Sequence, residues 1–585
     1  MKKLTIILIV LVLAFAVAVP FSGAQDDAPD GVWLGTWPYT LPPDHHLNAY
    51  ATGGPLENLG NVYREMVELS PAFYIWSSDS FEPLLAESWG FSEDNTAYTI
   101  TLQEGLMWSN GDAITSDDIV TTYALGRLVG WAQFTYIDSV EAVDERTVSF
   151  SFIDGQPSAL AEYLLLREPI VASATYGDFA ARALELFDTG ADSESEEWLA
   201  LLEELREYRP EALIASGPYT YGLDDVGDSF MTLSWQPNSI FSDTVNFGEL
   251  KIWAGETEST TPLVLSGEIA HSTNVYPPAT VDSFVAEGLE IVTIPRGYGP
   301  GLLFNHAVEP WGIQEVRQAV ALVIDRDQNA FLTNGLGASG TQYMAGLLDD
   351  SVPTMMTEEA INQLDRYEFD TERAASLMES AGFSRDDDGI WADSDGNTLS
   401  AEWIFPADFA DFSAATLDAV DQMNAFGFDI TAQGLPWQEV PDRIRNGDFE
   451  LTVWSWGLGS SFASRQFWNP IQRWQTELDA DQPGLGIDLE VTTPSGETAN
   501  LNDLINEVNA GLDTEEARQR ASEVALIIND LMPYVPLNVI LSAEPFNTDL
   551  ITGFNDVDAS LLANPTGTDH FVKLAIWNGV LSPAE

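Results

Sequence analysis

The chain reads as an α/β protein, and two observations carry that reading. Residues 84–123 give a strand, a turn, a second strand, a tight hairpin and a capped helix in succession. Elsewhere, strand-like and helix-like periodicities follow one another along 585 residues, a length sufficient for two or three domains.

The elements follow in order. Lys2 and Lys3 precede an apolar run over 4–19 that only Thr5 interrupts, and Ser22, Gly23 and Ala24 supply small residues at a cleavage site. Residues 1–24 therefore read as a secretory signal cut after Ala24. The alternative is a retained anchor, but the run is shorter than the roughly 20 residues a spanning helix needs. Residues 25–29 form an acidic leader, 32–37 a first strand and 38–46 a loop. Leu56, Leu59, Val62, Tyr63, Met66 and Val67 recur at helical spacing within 54–69.

In 84–123, Tyr98, Ile100 and Leu102 alternate with Thr99 and Thr101, the period of a half-buried strand. Asn110-Gly111 fits a two-residue hairpin turn, where positive φ is required. Thr115 with Asp118 fits a capping box opening a helix over 116–128. Residues 146–152 alternate as a strand. Trp198, Leu201, Leu202 and Leu205 share one face of a helix over 194–208, within a helical insertion spanning 176–210.

Charge bounds the partners. Asp and Glu number 92 against 23 Lys and Arg, a net charge of −69. A field of that sign repels nucleic acid and anionic lipid. It fits a solvated extracellular surface, and more sharply an adaptation to high salt, where counterions screen the self-repulsion. There is no cysteine, which removes disulfides, thiolate metal sites and a lipid-modified N-terminal Cys. In the mature chain the only lysines are Lys251 and Lys573, and neither completes a Walker A or S-x-x-K pattern.

The chemistry-bearing motifs are few. Gly335–Gly340 satisfies G-x-G-x-x-G, but a helix precedes it, so it reads as a glycine-rich helix end. The acidic turns at 386–389 and 393–397 lack an EF-hand's ligand spacing and read as hairpin turns, with incidental Ca²⁺ binding a minor alternative. His45, His46, His271, His306 and His570 form no ligating pattern; His45-His46 reads as an exposed loop pair. No G-x-S-x-G elbow exists, and nothing selects a catalytic carboxylate pair among the acids.

The order of residues says more. The run LAESW, then SEDNTAYTITLQEGLMWSNGDAITSDDIVTTY, resembles the most recognisable segment of the family 5 extracellular solute-binding proteins, receptors of ABC importers for peptides, nickel and oligosaccharides. ASGPY at 215–219, TPLVLSGEIA at 261–270, LLFN at 302–305, VRQAVALVIDR at 316–326, RDDDGIWADSDGNT at 385–398, DFELTVWSW at 448–456 and LMPYVPL at 531–537 resemble further segments of that family. The resemblance implies a periplasmic-binding-protein-like fold of type II, similar to cluster C: two lobes, a hinge, and a small extra domain in the first lobe. Residues 25–303 and 538–585 would form the first lobe, with the extra domain at about 59–165, and 304–537 the second. Asn305 and Leu537 would mark the hinge.

By the same resemblance, a ligand would lie between the lobes. Trp454 and Trp456 share a strand face and are the leading candidates for ligand platforms, with Trp37, Tyr39, Tyr298 and Trp468 beside them. Peptide-binding members often carry an aspartate where this chain has Gly457–Ser461, GLGSS. The missing acid favours a neutral oligosaccharide, unless another carboxylate replaces it; family frequency favours a peptide. The expected protein is thus a secreted, periplasmic or cell-surface monomer. It would deliver a peptide or oligosaccharide to an ABC permease and ATPase, with no cofactor, no metal and no covalent chemistry. An extracellular hydrolase is the competing class.

Overall fold

The computed structural model describes residues 28–37, 45–474 and 483–584. The predicted signal and Tyr39 lie outside these residues. The fold is mixed α/β in two lobes, each around its own sheet.

In the first lobe, Gly31–Thr36 runs parallel to Phe247–Trp253, which pairs antiparallel with Phe230–Trp235 and, beyond it, Tyr219–Thr220. The second lobe holds a five-stranded sheet in the order Asp429–Leu435, Ser400–Pro406, Leu451–Trp456, Gly299–Phe304, Tyr534–Pro536. Gly299–Phe304 is buried at every position, as a central strand covered on both faces must be. Arg317 from the VRQA segment is also buried. Its guanidinium donates to the carbonyls of Trp311, Gly312, Leu531 and Met532, tying the start of one helix to the end of another.

The lobes are joined by two neighbouring strands. Glu290–Pro295 pairs antiparallel with Asn538–Phe546, while Gly299–Phe304 pairs with Tyr534–Pro536 in the other sheet. The chain therefore changes sheets at 296–298 on the way out and beside Leu537 on the way back. Leu537 is fully buried and its N–H donates to the Pro300 carbonyl at 3.1 Å. Asn305 is misplaced as a hinge residue. It sits at the far end of Gly299–Phe304, where its amide donates to the Gly447 and Phe449 carbonyls at 3.0 and 2.8 Å and pins the turn.

A smaller antiparallel sheet is ordered Ala86–Phe91, Ala97–Leu102, Thr147–Phe152, Ile137–Ala142. Tyr98, Ile100 and Leu102 are fully buried, as their alternation requires. The helix Ser116–Leu128 opens on the expected capping box, with the Thr115 N–H donating to Asp118 Oδ2 at 2.8 Å. Asp118 also accepts from Trp108 Nε1 and the Ser173 N–H, so one buried carboxylate caps two helix starts. At Asn110-Gly111 only Gly111 takes positive φ, and a single bridge, Met107 to Ala113, replaces the expected hairpin strands. The insertion forms two helices, Ser173–Thr189 and Glu196–Glu207, packed on Ser116–Leu128; Trp198 Nε1 donates to the Leu128 carbonyl at 3.0 Å. Gly335 ends the helix Arg326–Asn334 with positive φ, as a helix-end glycine does.

Candidate functional site

Three cavities in the cleft between the lobes are lined by successive parts of the segment from Trp454 to Ala463. The first, of about 220 Å³, is walled by Glu256, Arg296 and Tyr298 on one side and by Asp411, Phe412 and Trp454 on the other. Beyond the glycine loop lie cavities of about 380 and 730 Å³. The first alone is smaller than the roughly 300–1,000 Å³ of an ordinary small-molecule site, and the other two fall within that range.

The sequence explains how the walls are held. Glu256 is the residue before the helix Thr257–Leu265, but its side chain makes no capping bond. Its Oε1 is buried with no hydrogen-bond partner among the described residues. Asp411 lies in the first turn of the helix Ala410–Phe426, just past the carboxyl end of the parallel strand Ser400–Pro406. One of its oxygens accepts the Phe412 N–H at 2.9 Å. Burial pushes the Glu256 carboxyl up to about 8, and the neighbouring Asp411 charge adds to the rise. Burial also raises Asp411, against the pull of Arg296. Arg296 donates to Tyr298 Oη at 2.9 Å and to the Thr273 carbonyl at 2.7 Å. The cavity thus offers two carboxyls short of counter-charge, beside an aromatic wall in which Trp454 meets Phe412 edge-on at 6.3 Å. That arrangement takes a cation or a hydrogen-bond donor carried on an apolar body.

The expected site residues divide. Trp454 and Tyr298 line the first cavity. Trp456 does not: it is fully buried in the second-lobe core, and its Nε1 donates to the Asn538 carbonyl at 2.9 Å. Its strand face packs inward, and only the edge of Trp454, 8 % exposed, reaches the cleft. Trp37 packs against the first-lobe core beside Gly60 and lines none of these cavities. Trp468 stacks under the Arg465 guanidinium at 4.8 Å. Glu256, Asp411 and Arg296 were missed. A signal existed for Asp411 alone, since ligands in open α/β sheets gather at the carboxyl ends of parallel strands.

Two histidine readings change. His46 is buried, its Nδ1 accepting the Asn48 N–H at 3.1 Å, so the loop pair is not exposed as a whole. His271 and His570, far apart in sequence, converge on buried Glu544: both Nε2 atoms lie 2.8–2.9 Å from its Oε2, and Thr566 donates to Oε1. The Val572 N–H donates to His570 Nδ1, which puts that ring's proton on Nε2, facing Glu544. The array is a hydrogen-bonded tie between three segments, and the His570 proton occupies the position an ion would need. The acidic turns likewise use their carboxylates internally: Asp386 and Asp393 each accept two backbone N–H groups within their own turn.

Fold and site together define a hinged, two-lobe binding protein. Residues 80–474 match the model of the bacterial extracellular solute-binding proteins, family 5 middle region, and the chain belongs to this family. A periplasmic alpha-galactoside-binding protein of Rhizobium meliloti is 25 % identical over 379 residues, covering 56 % of this chain and 50 % of that one. The dipeptide-binding protein DppE of Bacillus subtilis is 22 % identical over 271 residues, covering 42 % and 44 %. The chain thus spans about half the length of these relatives. Among solved structures, a Thermotoga maritima periplasmic oligopeptide-binding protein carrying mannohexaose is similar, with a TM-score of 0.75, 17 % identity and coverage of 94 % and 98 %. Bacillus subtilis AppA in complex with a nonapeptide gives a TM-score of 0.68 and 16 % identity, with coverage of 95 % and 100 %. These likenesses confirm the predicted fold.

Proposed function

We propose that the chain is the secreted solute receptor of an ABC importer and that its solute is a peptide whose α-amino group sits between Glu256 and Asp411. The observation that carries this reading is the pair of buried carboxyls, one from each lobe, facing a single cavity. They supply the acid that GLGSS lacks, from a different part of the fold. A charge-assisted contact to both would draw the lobes together, coupling binding to closure. The remainder of the solute would run past the glycine loop into the larger cavities. In this reading the lobes divide at 296–298 and beside Leu537, the signal is removed after Ala24, and the mature protein acts as a monomer, without catalysis, outside the cell.

Neutral oligosaccharide is the second reading, favoured by the aromatic wall of Phe409, Phe412 and Trp454 and by the alpha-galactoside-binding relative. Calorimetry with short peptides, their N-acetylated forms and neutral α- and β-linked oligosaccharides separates the two. Binding of free-amine peptides, lost on acetylation, is expected. Tight binding of neutral sugars alone would overturn the peptide reading, and turnover of any of them would return the hydrolase.

A further inference from the structure

We infer that Arg465 reads a carboxylate on the solute, making the 380 Å³ cavity beyond the glycine loop the anionic end of the cleft. The inference rests on the cleft being the solute site and adds the charge carried at the solute's other end.

Arg465 lies on the short helix Ala463–Trp468 and lines that cavity with Arg64, Arg167 and Ser460. The other cations there are matched. Arg64 pairs with Glu68 and Glu168, Arg167 holds Asp569 through two bonds at 3.1 and 2.7 Å, and neighbouring Lys573 pairs with Glu65. Arg465 has no ion pair among the described residues. Its charged side is packed on the Trp468 ring and faced by Tyr163, Tyr136 and the like charge of Arg167. The acids that share the cavity are already engaged: Asp569 by Arg167 and Trp76, Glu168 by Arg64 and Gln133. Burial also pushes Glu168 up to about 7, so it carries only part of a charge at neutral pH, and that part faces Arg64.

Buried Arg317 and Arg326 also lack an acid, but backbone carbonyls satisfy their guanidiniums, whereas that of Arg465 makes no hydrogen bond among the described residues. Burying a cation is costly unless it is paired, and a planar guanidinium fits a carboxylate through two parallel bonds. A neutral hydroxyl would leave that cost in place. Two kinds of solute carry the needed group: a peptide, at its C-terminus, and a sugar acid.

The test is calorimetry on the full mature chain with four probes: tetra-alanine, its C-terminal amide, digalacturonate and neutral galactobiose. Wild type is expected to bind one acid form about tenfold or more tighter than its neutral counterpart, the range of a charge-assisted bond. In R465Q the preference should fall below about twofold, while R465K, which keeps the charge, retains part of it. The variants must melt with wild type. Preference for tetra-alanine over its amide assigns the carboxylate to a peptide terminus; preference for digalacturonate assigns it to a sugar acid. Equal binding of acid and neutral forms by wild type overturns the inference, even where N-acetylation still abolishes binding and the amino-group reading stands. A preference that survives in R465Q also overturns it.

Discussion

The hydroxyls of Tyr74 and Ser461 lie 2.7 Å apart across the cleft, the first on the strand Ala72–Ile75 and the second at the end of the glycine-rich loop. Nearby, Ser158 Oγ donates to the Asn509 carbonyl at 3.0 Å and the Gly511 N–H to the Pro157 carbonyl at 2.9 Å. These bonds exist only while the two sides are together. Removing one should shift the lobes toward the open form and raise the apparent Kd. Ser461→Ala is expected to weaken solute binding by about 2- to 10-fold, the worth of a single bond. Tyr74→Phe should cost more, because the same hydroxyl also bonds Asp79. Adding Ser461→Ala to it should cost little further, since the pair acts as one unit. Additive losses in calorimetry would refute the contact.

Glu256 should make binding pH-dependent. With its carboxyl raised to about 8, it is mostly protonated at pH 6 in the empty cleft. A cationic solute favours the ionised form, so binding releases a proton. Affinity for a free-amine peptide should therefore rise with pH, by up to about tenfold per unit well below 8, and turn down above it, where the solute's own α-amino group loses its charge. Glu256→Gln should bind more weakly at pH 8 and show a flat profile over the same span. A wild-type affinity that falls from pH 6 to 8 would contradict the role.

The two tryptophans of Leu451–Trp456 should differ in binding. Trp454→Ala removes part of the cavity wall and is expected to raise Kd more than tenfold, about 1.4 kcal/mol, and also to lower the melting temperature, because the ring is 8 % exposed and packs on Phe409, Phe412 and Trp474. Trp456→Ala opens a hole in the core and strands the Asn538 carbonyl, at about 3–5 kcal/mol of stability. Thermal melts beside titrations separate the effects; the reverse pattern would restore Trp456 as the platform.

This contrast shows what was legible in the sequence. The capping box at Thr115, the alternation at Tyr98–Leu102 and the helix end at Gly335 depend on neighbours a few residues away, and each formed as read. Alternation also placed Trp454 and Trp456 on one face, but not whether that face met solvent or core; the pairing of Gly299–Phe304 with Leu451–Trp456 decides that. Glu256 and Asp411 meet only because the chain crosses between lobes in the interval separating them. Among 92 acids, no local pattern marks two that will be buried together. His271 and His570 were invisible as partners for the same reason: the strand carrying Glu544 brings them together.

Acid should loosen the fold through groups that must stay neutral or stay ionised. Burial holds the His306 ring down at about 3, and its Nε2 bonds the Pro533 carbonyl at 2.9 Å. The unfolded chain takes up that proton near 6.5, so it binds more protons than the native state between about 6.5 and 3, and stability falls as pH drops through that window. Glu544 acts in the same direction. Despite its burial, the two histidines hold its carboxyl well below the usual range, so its contribution is present above about 4.3 and lost below. Protonation of surface acids relieves repulsion and opposes both. His306→Gln keeps a donor near Pro533 while removing the titration, so its stability should fall less steeply than wild type from pH 6.5 to 4. Parallel slopes in urea titrations would exclude His306 from the effect.

Salt should stabilise the protein. A net charge of −69 pushes the folded chain apart, and the described ion pairs recover little of that. Several, including Arg146–Glu87, Arg182–Glu204, Arg445–Asp442 and Arg518–Glu515, lie at the surface, where a pair is worth about 0–1 kcal/mol. Screening weakens both the pairs and the repulsion, but with 92 acids to 23 bases the repulsive terms are far more numerous. The screening length shortens from about 10 Å at 0.1 M to about 3 Å at 1 M, below the spacing of most surface charges. The melting temperature should therefore climb through that range in NaCl, and steeply at the dilute end. Sulfate at matched ionic strength should add a further rise through surface exclusion, which separates screening from stronger burial of apolar groups. A melting temperature highest in dilute buffer would mean that the acidic surface is tolerated rather than tuned to salt.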